Sequence, residues 1–593
     1  VSARTKKIMN APEDIIPQMI EGMIGAHPDL LRVAGAAGRA IVAIDGPRPG
    51  KVGVVVGGGS GHEPAFAGYV GRGLADAAAV GNVFASPSPE LILDAAREAD
   101  GGAGVVFLYG NYSGDVMNFD MAAEELSASG VAVKSVAVTD DVASAPKERI
   151  GERRGIAGDF FVFKIAGAAA DRMLPLDEID RLARHANAST RSMGVALSAC
   201  SLPQTRKLNF EISADDMEIG MGLHGEPGIR RGPLETADEI AQDLLSAIIA
   251  DLGLRRGDEV AVLVNGLGST SMMELYLLHR KTQHILSDHG IAVARSWVGE
   301  YATSLEMAGA SITVLRLDDE LRALLAHPCR SVALTVGEIA AANPARANVA
   351  HTAVQTRGDD ADGAAEHKEL ATDGDVTPAI FRQMMRKVGA AIIAEKDWLS
   401  QLDGVIGDGD HGVTMEIGWI AVAKALAAAP DHETIEATCK RMAKAFLDAV
   451  GASSGPLYAT AFLRAGTAVG DRRNLDANAL ASWIAAACQG IRDRGRSEPG
   501  DKTMVDAWVP AAVAATNAAQ NGASSVEVMV KAAAGAKDGM DRTTDMVARR
   551  GRSAKLGERS IGHIDPGAAS TYLTLRAMTE ALQGALGQKA PGQ

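Results

Sequence analysis

Residues 51–61 read KVGVVVGGGSG. A short β-branched run closed by glycines is the pattern of a strand buried on both faces, and the turn after such a strand is where open α/β sheets place their chemistry. GAGVVFLYGN (102–111) and VAVKSVAV (131–138) repeat the pattern, each separated from the last by a helix-length stretch, which is βαβ logic. A second α/β set follows in DEVAVLVNGLGSTSMMELY (258–276), IAVARSWVGEY (291–301) and SITVLRLDDEL (311–321). The expected N-terminal half is therefore α/β, with subdomains at 1–190 and 191–340.

Residues 341–376 lose all periodicity and carry Pro, Gly, Asp and Ala, so they are expected to be a linker. Beyond it β-branched runs nearly vanish. Segments such as TIEATCKRMAKAFLDAV and ALASWIAAACQGIRDRG place apolar residues at helical spacing, which predicts an all-helical domain over 377–593.

The chain has 593 residues, too many for one core, and an ordinary globular balance of 47% hydrophobic and 22% charged residues. A net charge of −15 argues against nucleic-acid binding through a broad basic face. The four cysteines are far apart and form no CxxC pair, as in reduced cytosolic proteins. No apolar run follows the basic N-terminus and none reaches membrane-span length, so a cytoplasmic protein is expected.

In the helical domain, LDGVIGDGDHGVTM (402–415) sets Asp403, Asp408 and Asp410 in a glycine-rich turn with no Lys or Arg. Two carboxylates ~4 Å apart at an effective dielectric of ~20 repel by about 4 kcal/mol, which a hard divalent cation such as Mg²⁺ offsets. An acidic solvated turn is the plain alternative, and the spacing fails as an EF-hand. VGASSGPLYATAF (450–462), RGRSEPGDKTMVDAW (494–508) and GRSAKLGERSIGHIDPGAAS (551–570) add Gly-rich junctions with Arg, Ser and Thr, which suggest a phosphate site at one end of a bundle. GRSEPGDKT departs from a P-loop by one inserted residue and by the helix that precedes it.

In the α/β half, VVVGGGSGHEP (54–64) fails as a dinucleotide fingerprint because His62 stands where the third glycine belongs. His62 at that strand end, Asp115 in GNYSGDVMNFD and His224 in MGLHGEPGI each sit in a glycine turn, and are candidates for one site.

Taken in order, GGGSGHEP, NYSGDVMNF, GLHGEPG, LDGVIGDGDHG, GASSGPLY, PGDKTM and GERSIGHIDPGAAS resemble the fused, two-domain, ATP-dependent dihydroxyacetone kinases over nearly all of the chain except the linker. The resemblance implies two α/β subdomains followed by a barrel of antiparallel helices. It implies that His224 forms a hemiaminal with the substrate ketone and that Gly59, Ser60, Gly61, His62 and Asp115 line the sugar site, with Asp115 or His62 as the base. Asp403, Asp408 and Asp410 would hold two Mg²⁺ ions. His411, Gly412, Val413, Thr414, Ser453, Ser454, Gly495, Met504, Arg552, Asp565, Pro566 and Gly567 would surround ATP. It further implies a homodimer in which the nucleotide domain of one chain serves the sugar site of the other.

The chain departs from that pattern at Gly110, where dihydroxyacetone kinases carry a lysine that reaches the sugar. Relatives with this change resemble kinases of larger ketoses, so the expected substrate is erythrulose, with dihydroxyacetone and the branched ketose apulose as alternatives. The family also contains ketose-sensing regulatory and phosphotransfer subunits, a different class that fusion of both halves on one chain disfavours.

Overall fold

The computed structural model describes residues 5–339, 375–407, 409–430 and 432–587, without the side chains of Arg552 and Lys555. Asp408 and nearly all of the expected linker lie outside the described residues.

The opening stretch forms the strand Gly53–Ser60, buried along its whole length. It sits inside a six-stranded sheet whose spatial order is Leu31–Ala34, Ala40–Ala43, Ala77–Val83, Gly53–Ser60, Val105–Gly110 and Val133–Val138. The last four run parallel, as the buried apolar runs require, and Val56 pairs with Leu108. The helices Pro89–Ala99 and Ser113–Ala128 supply the crossovers. Their starts, like the glycine turn after Ser60, lie at the carboxyl ends of the strands.

The second six-stranded sheet runs Arg230–Pro233, Asp216–Ile219, Thr190–Ala196, Gly309–Leu317, Glu259–Gly266 and Ala292–Gly299. Only Glu259–Gly266 and Ala292–Gly299 are parallel; the other pairs are antiparallel. Capping boxes at Thr236 and Ser271 start the two helices on its flank. After this sheet the chain returns to the first subdomain. Cys329–Ser331 pairs with Gly71–Arg72, and Leu321, Leu324 and Leu325 join the first subdomain's core. Residues 319–336, placed from sequence with the second subdomain, thus pack on the first.

From Pro378 onward the described residues are helical. Eight helices form a closed ring: Pro378–Ala394, His411–Ala427, Ile435–Ala449, Ser454–Val469, Ala477–Gly495, Val505–Gln520, Ser525–Arg542 and Pro566–Ala585, the last packing back on the first. Short connections make consecutive helices from His411–Ala427 to Ser525–Arg542 antiparallel, so every second one of these starts at the same end. Lys396–Ile406 lies outside the ring against His411–Ala427 and Pro566–Ala585. The core inside holds Trp419, Trp483, Trp508 and Phe446, all fully buried.

The ring's end packs on the first subdomain. Asn118 Nδ2 donates to Pro87 O at 2.9 Å and also to Gly451 O, while Lys444 pairs with Glu90 at 3.1 Å and Arg494 with Glu124 at 3.6 Å. The approach is close: a Cβ on Gly451 would lie 1.4 Å from Ser86 O.

Candidate active site

His224 occupies a tight turn in which Gly225 N donates to Gly222 O at 3.1 Å and Gly222 N to Glu226 O at 3.1 Å. Glycine is required at 222, since a Cβ there would meet Glu226 Oε2 at 2.2 Å and Arg154 Nη1 at 2.4 Å. The imidazole is buried. Its Nδ1 lies 3.1 Å from Glu226 Oε1, and its Nε2 lies 3.1 Å from His62 Nε2. His62 Nδ1 lies 2.8 Å from the carbonyl of Thr303. A carbonyl only accepts, so His62 carries its proton on Nδ1 and turns a lone pair toward His224. Burial, and after it the neighbouring His224, push the His62 imidazole down to about 3.

Aromatic rings close the other sides of the pair. Phe84 stacks on His62 at 5.0 Å, and Tyr112 stands edge-on to His224 at 4.7 Å. Phe84 is held at φ 57°, a strained conformation for a bulky residue that places its ring against both histidines. Asp115, in the first turn of the Ser113–Ala128 helix, is buried nearby and lines the same cavity as His224.

Across the domain interface, Asp403 lies in the last turn of Lys396–Ile406 and Asp410 immediately precedes His411–Ala427. His411 N donates to Asp403 Oδ2 at 3.1 Å. Burial first, and Asp403 second, push the Asp410 carboxyl up to about 8. Burial, with Asp506 and Asp403 adding, pushes Asp565 up to about 7. Neighbouring carboxylates that suppress one another's ionisation are a donor set suited to a hard cation such as Mg²⁺. Among the described residues no cluster of three or more potential ligands is assembled, and Asp408, the third expected ligand, lies outside them.

A single cavity of about 1600 Å³ joins the two sides. Its walls include Gly59, Asp115 and His224 from the first half, and Asp403, Asp410, His411, Thr414, Ser453, Ser454, Gly495, Met504, Asp565, Pro566 and Gly567 from the helical domain. Four helices begin at it: His411–Ala427, Ser454–Val469, Val505–Gln520 and Pro566–Ala585. Their positive dipole ends converge on one space, which suits a polyanion.

Several expected residues stand elsewhere. Ser60 Oγ donates to Gly81 O of the neighbouring strand at 2.8 Å, and Gly61 N donates to Glu63 Oε2 within the turn at 2.9 Å. His62 stands beside His224, 3.1 Å from its Nε2. Val413 faces a smaller neighbouring cavity, and Gly412 supports the loop, since a Cβ there would lie 2.0 Å from Lys396 O. Nothing is described of the Arg552 side chain.

Gly110 is absent from the cavity wall. Tyr112 occupies the adjoining volume: a Cβ on Gly110 would meet its ring at 3.3 Å and Gly155 O at 3.4 Å. The expected extra room beside the sugar is therefore not an open void. Sequence reasoning also passed over Glu226, Arg154, Tyr112, Phe84 and Lys502. Glu226 and Tyr112 lay within quoted motifs, and the adjacent Arg153–Arg154 pair opening an apolar segment was a usable signal, since both side chains are buried.

Residues 21–333 match the Dak1 domain and residues 405–580 the DAK2 domain. The chain is 37% identical to an L-erythrulose kinase of Pectobacterium atrosepticum, over 97% of this chain and 96% of that one. It is 38% identical to an L-erythrulose 1-kinase of Mycolicibacterium smegmatis, over 97% and 99%. Among solved structures, the dihydroxyacetone kinase from C. freundii in complex with AMP-PNP and Mg²⁺ is 27% identical, with a TM-score of 0.52 over 98% of this chain and 100% of that one.

Proposed function

This chain belongs to the dihydroxyacetone kinase family of fused Dak1 and DAK2 domains, and from that premise we propose that it transfers a phosphoryl group from ATP to a terminal hydroxyl of a short-chain ketose, erythrulose first. The carrying observation is the shared cavity. It sets the His224 and Asp115 side against four converging helix starts and the Asp403–Asp410 pair.

In this reading His224 captures the ketone carbon and fixes the substrate's hydroxyl in the cavity. Asp115 accepts the hydroxyl proton during attack, since a neutral alcohol is a weak nucleophile. The helix starts hold the phosphates, and close positioning supplies most of the remaining acceleration. Asp403, Asp408 and Asp410 hold Mg²⁺, two ions on the family's pattern, which when bound neutralises charge on the transferring phosphoryl group. Covalent capture favours ketones over polyols, because glycerol has no carbonyl.

The named activities of the relatives support erythrulose, as does the absence of a lysine at Gly110. Release of ADP from ATP and Mg²⁺ with a panel of D- and L-erythrulose, dihydroxyacetone and apulose tests the proposal. A higher kcat/KM for dihydroxyacetone than for either erythrulose would overturn the tetrulose assignment. Failure to release ADP with any ketose would favour a sensing or phosphotransfer role.

A further inference from the structure

Behind His224 lies a row of buried charge that crosses from one α/β subdomain to the other. Glu226 Oε1 meets His224 Nδ1 at 3.1 Å, and Glu226 Oε2 accepts from His224 N at 3.0 Å. Arg154 Nη1 stands 3.8 Å from that second oxygen. The same guanidinium donates from Nε to Asp141 Oδ2 at 2.8 Å and from Nη2 to Gly220 O at 3.0 Å. Asp141 is held in turn by Ala143 N at 3.0 Å. Asp141, Arg154 and Glu226 are all at most 2% exposed.

Buried ion pairs gain little stability over apolar residues of the same size, because desolvation offsets the attraction. The row therefore invites a reason beyond folding, and its charge balance supplies one. Two carboxylates and one guanidinium leave one negative charge facing His224. With His62 neutral and its Nε2 lone pair turned to His224, both nitrogens of His224 carry hydrogen: Nδ1–H to Glu226 and Nε2–H to His62.

We propose that Arg154, braced by Asp141, is a positioning residue for ketone capture: it keeps Glu226 ionised and aimed at His224 Nδ1, so that Nε2 is the attacking atom. This rests on the reading of His224 as the capturing residue. In the step, the Nε2 proton passes to His62 Nε2 and the freed lone pair bonds to the ketone carbon. The C=O π pair moves onto oxygen, which takes the proton back from His62. An N–H and a C=O become an N–C–O–H; the ring keeps its Nδ1–H throughout, its positive charge passes to His62 with the proton, and the ring is a cation again once Nε2 bonds to carbon. Glu226 thus faces the same cation before and after capture, and no charge has to be neutralised anew inside the protein.

The groups facing Glu226 are His224 on its own turn, Arg154, Tyr112 and, through Arg154, Asp141; His62 faces His224 from the other side. A cation beside a carboxylate favours its ionised form, so losing Arg154 raises the pH at which Glu226 ionises.

The test follows [2-¹³C]dihydroxyacetone on the full chain by NMR, where capture moves C2 from the carbonyl to the tetrahedral region, across a pH series. Nucleotide affinity is measured alongside. Arg154→Met is expected to lower the captured fraction at least tenfold at neutral pH and to move the acid limb of capture to higher pH, with nucleotide affinity unchanged. Arg154→Lys is expected to restore part of the capture, and Glu226→Gln to abolish it at every pH. Capture in the unaltered chain together with an unchanged pH profile in Arg154→Met overturns the proposal. Absence of any adduct in the unaltered chain overturns the capture reading itself, and this inference with it. If Arg154→Met does not fold, the isosteric Glu226→Gln decides: normal capture in it overturns the proposal.

Discussion

At the scale of single residues, Asp410 carries a clear constraint. Its carboxyl is repelled by Asp403, and a proton or a cation relieves that repulsion. Asp410→Ala removes both the repulsion and a ligand. Phosphoryl transfer is expected to fall at least a hundredfold, about 3 kcal/mol, while the melting temperature without metal stays level or rises. ADP release and a thermal melt measure the two; near-normal transfer in Mg²⁺ would remove this loop from the metal site. Gly110 is constrained differently. A lysine there must push past the Tyr112 ring and Gly155 O, and Tyr112 leans on His224. Gly110→Lys is expected to lower kcat/KM for erythrulose about tenfold, or ~1.4 kcal/mol, and for dihydroxyacetone by less. The ratio of the two, measured under one set of conditions, is the check; an unchanged ratio leaves Gly110 with the strand end alone.

At the scale of elements, the glycines that end strands and start helices bring the two halves within reach. The turn before Ser454–Val469 packs so closely on the loop before Pro89–Ala99 that Gly451→Ala would drive a methyl group into Ser86 O. The interface must open in response. ATP affinity is expected to hold within about threefold and transfer to fall at least tenfold, about 1.4 kcal/mol, separable by nucleotide titration and ADP release; full transfer in Gly451→Ala would show that this close approach is not the working geometry. Much of this was readable in sequence. Val54–Val56 and the apolar run at 105–110 announce buried strands because burial on both faces leaves no alternation, and most helices of the helical domain show a 3.6-residue period. The pairing of Cys329–Ser331 with Gly71–Arg72 was not readable, because strands of two or three residues carry no period. Glu226 and Arg154 escaped for another reason. Their meeting depends on two sheets packing side by side, and no local spacing encodes a contact between residues so far apart in the chain. The charge at Asp403 and Asp410 was legible because both carboxylates fall within one short glycine-rich stretch.

At the scale of the molecule, the question is whose helical domain covers whose ketose site. Within one chain the cavity already joins His224 to Asp410, so transfer inside a single chain is geometrically available. The same interface forms between two chains if their helical domains are exchanged. On the family's pattern we propose the exchanged homodimer. Asp410→Ala chains have an intact ketose side and His224→Ala chains an intact nucleotide side. Mixed and refolded together, they are expected to recover up to about a quarter of the wild-type rate, because half of the random pairs are mixed and each mixed dimer holds one cavity with both sides intact. Each variant alone is expected to stay near its own low rate. Light scattering fixes the assembly state, and differently tagged chains establish that mixed dimers formed. No recovery in verified mixed dimers would place both halves of each working site on one chain, as the single-chain geometry allows, and would confine dimer contacts to a supporting role.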